Sequence, residues 1–363
     1  MSVGTARTRL AVVPGMPEME PCIVDLHRAS SIRPEPIRWL WPGWLARGKL
    51  HILAGAPGVA KTTIAMHIAA CVTTGSALPG GYRPTPGNVL VWSGEDDPAD
   101  TLVPRLLAAG ADLDRAFFVG DAREGMQVRN FDPATDIPAL AVEADAVGGA
   151  ALIVVDPIVS AVAGDSHKNG EVRRALQPLV TMADRLGAAV LGISHFSKGT
   201  AGRDPTERVT GSVAFGALSR VVLVAAKRLD ADGGADRMLA RAKSNIGPDG
   251  GGFGYAVEQI DLGDGIQASR IAWGNSLEGS ARDLLCQAEA DDAEAGEHRD
   301  VDSFLEDLLI CGEQTAKAIY RDAEAAGYSR DQIKRAKRRL SVQTAKTGME
   351  GGWVWRLPPE PQR

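Results

Sequence analysis

Residues 55–63 read GAPGVAKTT, and their types and spacing fit G-x-x-x-x-G-K-[ST] with one departure, Ala60 where the second Gly belongs. A turn built from Gly55, Ala56, Pro57, Gly58, Val59 and Ala60, followed by a helix opening at Lys61, aims backbone N–H groups and a helix N-terminus at one spot. An anion is stabilised there. Lys61 reaches the β- and γ-phosphates of a nucleotide, the Thr62 hydroxyl sits on Mg²⁺, and Thr63, the next residue, is a further candidate contact to the nucleotide. The chemistry this predicts is binding of ATP or GTP with Mg²⁺. A methyl group at position 60 costs up to about 1 kcal/mol if the backbone needs a positive φ there, which weakens the site without abolishing it.

Three more polar residues end apolar runs, where the strands of an open α/β sheet present ligands. Asp156 closes AALIVVD and is placed to hold Mg²⁺. Glu95 follows VLVWSG and is the candidate general base for the attacking water, with Asp96 and Asp97 as rivals. His195 closes AVLGIS, where a neutral imidazole can donate to the γ-phosphate. After these strands come two Gly-containing loops, 164–170 and 197–210, carrying Lys168, Lys198, Arg203 and Arg208. They are ordinary surface loops, or, in a ring-shaped oligomer, the lining of a channel that holds a nucleic-acid backbone.

The elements that must position these residues are apolar strands alternating with helical stretches from 49 to about 275, the pattern of a mainly parallel sheet covered by helices. The strands are read at Leu50–Ala54, Asn88–Ser93, Ala116–Val119, Ala151–Asp156, Ala188–Ser194 and Val221–Ala226. Met238–Lys243, Tyr255–Ile260 and Ser269–Trp273 read as an antiparallel extension. Trp39, Trp41 and Trp44 crowd ahead of the first strand and read as a hydrophobic plug, the alternative being a stacking platform. The domains are a tail at 1–30, a core at 31–278, an acidic linker or polar helix at 279–300, and a small domain at 301–363. In that last piece Ser303–Leu309, Thr315–Ala325 and Ser329–Leu340 read as helices and 351–355 as part of a β-hairpin wing. This is the order of a winged helix-turn-helix. Ile333, Ala336 and Leu340 share one face of its third helix. Its cations, Lys334, Arg335 and Arg338 foremost, are either a solvated surface or contacts to duplex DNA.

Composition narrows the class. A net charge of −6 gives no global sign of nucleic-acid binding, and 44% hydrophobic content supports a sizeable core. Cys22, Cys71, Cys286 and Cys311 lack paired spacing, which fits reduced thiols in a cytoplasm rather than a disulfide or zinc framework. The short apolar piece Leu10–Val13 is no signal peptide, and no run approaches the about 20 apolar residues of a membrane helix. The chain reads as soluble and cytoplasmic.

Taken together, GAPGVAKTT, VLVWSGED, ALIVVDP, LGISHFSKG, GSVAFGALSR and ARAKSNIGP resemble the RecA-type hexameric ATPases, and among them the RepA-like plasmid and mobile-element helicases. The resemblance covers about 37–275. It implies a RecA-like P-loop core, ATP and Mg²⁺ as cofactors, a homo-hexamer, and single-stranded DNA in a channel. Glu95 is then the catalytic carboxylate, Asp156 the Mg²⁺ ligand and His195 the γ-phosphate sensor. Arg220 becomes the finger offered to a neighbouring subunit's ATP, with Lys243 beside it. Asn245 stands where many ring helicases carry Arg. The function expected is an ATP-dependent DNA helicase or translocase. The alternatives are an ATP-switched replication initiator or regulator that unwinds nothing, and a recombinase-like filament.

Overall fold

The computed structural model describes residues 24–162, 168–197, 200, 202–209, 213–228, 235–310, 312–346 and 353–358, with the side chains of 289–300 and 325 also outside that set. Leu10–Val13, Cys22, Cys311 and Lys198 therefore lie outside the described residues. The chain divides after Pro36. Residues 24–36 hold one helical turn, Ala29–Ser31, and are exposed throughout.

From Ile37 the order begins with a small hairpin, β1 (Trp39–Trp41) and β2 (Leu45–Ala46), then β3 (Leu50–Gly55) and α1 (Lys61–Thr74). Next come β4 (Val89–Ser93), α2 (Val103–Ala108), β5 (Ala116–Phe118), the hairpin β6 (Ala122–Glu124) and β7 (Gln127–Arg129), and α3 (Ile137–Ala146). β8 (Leu152–Asp156), α4 (Asn169–Leu186), β9 (Ala189–His195), α5 (Val213–Leu218) and β10 (Val221–Lys227) complete the parallel part. β11 (Arg237–Ser244), β12 (Gly252–Asp261) and β13 (Gln267–Leu277) follow, then α6 (Ala281–Ile310). The chain ends with β14 (Gln314–Thr315), α7 (Ala316–Ala325), α8 (Arg330–Arg339), β15 (Gln343–Lys346) and β16 (Trp353–Arg356).

The nine-stranded sheet runs β13-β12-β11-β10-β3-β9-β8-β4-β5. The six strands from β10 to β5 are mutually parallel, and β11, β12 and β13 extend the sheet antiparallel from β10. Continuous apolar runs such as LHILAG in β3 and LIVVD in β8 are buried at every position, as strands covered on both faces must be. One cover is α1 with α2: Ile64, Met66, Ile68 and Leu106 pack with Leu53 and Leu191. On the other cover Leu176 and Leu179 of α4, Phe215 of α5 and Leu285 of α6 pack with Ile52, Val190 and Val222. α1 is apolar almost all round because it is buried almost all round, and it stops at Gly75, whose φ of 75° forms a left-handed C-cap.

The tryptophan segment is packing. Trp41 and Trp44 stack at 4.8 Å, both buried, and Phe253 and Trp273 close around Trp41. The three antiparallel segments are there but longer than their apolar cores suggest, because strand pairing carries their polar ends along. Of the two readings of the acidic stretch, the polar helix is the one observed: residues 281–300 lie in the 30-residue helix α6, anchored to the sheet by Ala281, Leu285 and Ala288. Past it, Val301, Leu305 and Leu309 of α6 join Ile319, Ile333, Ala336 and Trp355 in a third apolar cluster. β14, β16 and β15 form a small antiparallel sheet beside α7 and α8.

Candidate active site

The register of the parallel strands gathers the predicted polar residues. Gly55 at the end of β3 lies opposite His195 at the end of β9, and Ser93 at the end of β4 lies opposite Asp156 at the end of β8. The chain leaves β3 and returns three strands away at β4, so β8 and β9 later fill the gap with their carboxyl ends beside the loop.

The loop from Gly55 to Ala60 is tightly specified. A Cβ on Gly55 would stand 2.5 Å from the Ala225 carbonyl oxygen, so the strand can pass β10 there only without a side chain. Gly58 has φ 77° and Ala60 φ 62°, both left-handed. The backbone at 60 does require the positive φ that makes alanine costly, so the sequence departure is a real strain rather than a harmless swap. Between them Val59 is buried in the core under α1.

Lys61 is buried, and its Nζ donates to the carbonyls of Gly55 at 3.1 Å and Ala56 at 3.0 Å. It also lies 3.3 Å from His195 Nδ1. An ammonium has no lone pair, so this imidazole nitrogen is the acceptor and its proton resides on Nε2. Burial, then the Lys61 charge, hold the His195 pKa below its ordinary value, so the ring is neutral. Nε2 points toward Glu95, whose Oε1 is 3.9 Å away. Thr62 Oγ1 donates to Asp156 Oδ2 at 2.7 Å. Asp156 is buried, and desolvation pushes its carboxyl up to about 6, with Thr62 and Lys61 pulling it back and Glu95 and Asp96 adding to the rise.

The three neighbouring carboxylates have different employment. Asp96 is bound to Arg105 of α2 at 2.6 Å, and Asp97 caps the following helical turn by accepting from Ala99 and Asp100 N–H groups. Ser93 Oγ accepts from the N–H groups of Glu95 and Asp96, and Gly94 N donates to the Asp156 carbonyl, so the turn itself is pinned. Glu95 is the carboxylate of the three that faces His195, with about half its side chain open to solvent.

A hydroxyl and a carboxylate 2.7 Å apart are hard oxygen donors of the kind Mg²⁺ takes. Among the described residues no cluster of three or more His, Cys, Asp or Glu could hold a metal. Thr62 and Asp156 thus fit a Mg²⁺ whose remaining ligands are phosphate and water.

Arg220 and Lys243 are not part of this group. Arg220 precedes β10 and donates its N–H to the Leu50 carbonyl, at the amino end of β3, five residues along the strand from Gly55. Lys243 pairs with Val222 in the adjoining strand, and its Nζ donates to the Gly216 carbonyl at 2.6 Å. Burial and then the nearby Arg220 charge lower its pKa. Lys168 and Arg203 are exposed, Lys168 near Glu171 at 3.3 Å. Arg208 is buried with its guanidinium 4.3 Å over the Phe196 ring. It does not line a surface, against the expectation, because the Phe196–Val209 bridge folds that loop back on β9.

On α8, Lys337 sits over Trp355 and Arg339 holds Asp302 at 2.6 Å, so both serve the small domain's own packing. Lys334, Arg335 and Arg338 are exposed on the remaining face, Lys334 also meeting Asp331 at 3.0 Å. Sequence reading missed Ser93, Arg105 and Tyr255. The Ser at the strand end was a readable signal for a turn; the other two carried none, since their partners are set by packing.

A parallel sheet with a Gly-rich loop, a buried lysine and a Thr–Asp pair at its carboxyl edge defines a P-loop nucleotide-binding core. Residues 17–201, half of the chain, match the family model described as an AAA domain, and the chain belongs to that family of P-loop ATPases. No curated protein matches the chain. ATP with Mg²⁺ is what such domains bind. No helix among the described residues is long and apolar enough to cross a membrane.

Proposed function

We propose that the protein is an oligomeric, hexameric, ATP-dependent DNA translocase or helicase of the RecA-like kind, with a C-terminal winged helix that places it on duplex DNA. The observation that carries this reading is the division of charge across the sheet. Lys61, Thr62, Asp156, Glu95 and His195 gather at the carboxyl ends of the parallel strands, while Arg220, bonded to the Leu50 carbonyl at the start of β3, and Lys243, on β11 level with Ile52 and bonded to the Gly216 carbonyl, stand away from that cluster.

In this reading Lys61 holds the β- and γ-phosphates and Thr62 with Asp156 holds Mg²⁺, which neutralises phosphate charge when bound. Glu95 orients and deprotonates the attacking water, and the His195 Nε2–H donates toward the γ-phosphate position. Arg220 completes a neighbour's site, so hydrolysis depends on assembly. The order α6, β14, α7, α8, β15, β16 supports a winged helix whose α8 offers Lys334, Arg335 and Arg338 to DNA phosphates, while Lys168, Lys198 and Arg203 meet a single strand in the ring. Arg208 drops out of that set because it is buried.

The test mixes Arg220→Ala with Lys61→Ala. Each alone should be inactive, and mixed rings should regain some ATPase because some interfaces join an intact Lys61 site to an intact Arg220. If mixed rings form and stay inactive at every ratio while Lys243→Ala complements, the finger is Lys243. A strand-displacement assay with ATP then separates a helicase from an ATP-switched initiator, which would bind DNA and displace nothing.

A further inference from the structure

Tyr255 belongs to β12, outside the residues matched by the family model, yet it touches the nucleotide loop. Its ring is fully buried, held edge-to-face against Trp273 at 5.7 Å, and its hydroxyl donates to the Val59 carbonyl at 2.5 Å. Burial raises the phenol's pKa well above its ordinary value, so it remains a donor.

The bonded carbonyl has a particular place. Val59 C=O and Ala60 N–H share one planar trans peptide and point in opposite directions. Holding the oxygen against the core therefore turns the Ala60 N–H to the other side. The next peptide plane is held too, because the Ala60 carbonyl accepts from Ile64 N–H at 2.9 Å in the first turn of α1. With both planes fixed, φ and ψ of Ala60 follow: 62° and 38°. An L-residue avoids that region, and it persists only where surrounding structure over-determines it. Glycine at this position would need no such restraint.

We infer that Tyr255 is a positioning residue for the phosphate-binding loop, clamping the 59–60 peptide so that an alanine can occupy the left-handed conformation the loop needs. The inference rests on reading residues 55–63 as a nucleotide site, and it makes the antiparallel extension part of that site's support. It also explains how the chain tolerates Ala60.

The test is a double-mutant cycle on the full chain with Tyr255→Phe, Ala60→Gly and the pair, reading binding of a fluorescent ATP analogue with Mg²⁺. Tyr255→Phe keeps the ring and removes only the clamp, leaving a buried carbonyl unpaired, and should weaken binding about tenfold. In the Ala60→Gly background the same change should cost less than about threefold, because glycine reaches the conformation unaided. Equal losses in both backgrounds, or no loss in either, overturn the clamp and leave Tyr255 as core packing. The same four proteins are unfolded in urea without nucleotide. Coupling between the two substitutions in those midpoints supports the clamp even if the analogue fails to bind wild type, a failure that would count against the nucleotide reading alone. Where the analogue does not bind, additive midpoints overturn it.

Discussion

Removing the charge of Asp156 should make the nucleotide-free protein more stable while removing its Mg²⁺ chemistry. The carboxyl is 3% exposed and its folded pKa is about 6, against about 3.9 in an unfolded chain. Between those values the folded state holds a proton the unfolded state has lost, so stability falls as pH rises through this window. Two pH units at 1.36 kcal/mol each make a deficit of about 3 kcal/mol, fully present above pH 6 and absent below about pH 4. Asp156→Asn keeps the volume and leaves an oxygen to accept from Thr62, so it should recover most of that amount at pH 8 and almost none at pH 4. For a chain of this size the gain corresponds to roughly 5 °C in melting temperature. Urea denaturation with EDTA at both pH values measures it as a midpoint shift at constant slope. Adding ATP and Mg²⁺ should close most of that gap, since ligand at about 100 times its Kd stabilises wild type by about 2.7 kcal/mol and the variant much less. A variant no more stable than wild type at pH 8 in EDTA would refute the reasoning, because the buried charge would then cost nothing.

Glu95→Gln should bind ATP normally and hydrolyse it about 100-fold more slowly, read by a phosphate-release assay; normal turnover would return the role to Asp96 or Asp97 despite their other bonds. Gly55→Ala should yield little folded protein or lose ATP binding, seen by circular dichroism and titration, because its methyl meets a backbone carbonyl that cannot move aside. Replacing Lys334, Arg335 and Arg338 together by Ala should leave the ATPase intact and reduce the salt slope of duplex binding by close to three units in a fluorescence-anisotropy titration. An unchanged slope would return that face of α8 to ordinary solvated surface.

Much of the site was legible from sequence because its signals are local. The spacing of Gly55, Lys61 and Thr62 carries its own chemistry, and uninterrupted apolar runs ending in Asp156 and His195 announce buried parallel strands whose last residue faces the ligand edge. The backbone strain at Ala60 was also readable, as a small residue standing where glycine belongs. Strand order was not, since nothing in LIVVD or AVLGISH says which strand lies beside β3. That order is what brings Thr62 within 2.7 Å of Asp156 and leaves Arg220 at the far end. Sequence already preferred Glu95 to its neighbours, but only the fold shows Asp96 engaged by Arg105 and Asp97 by a helical turn. Arg208 shows the opposite limit: a cation in a polar loop reads as exposed, and only the bridge to Phe196 buries it. Tyr255 lies 196 residues from the carbonyl it holds. Local propensity and periodicity reach a few turns or one strand, whereas contacts over such separations come from how the layers pack.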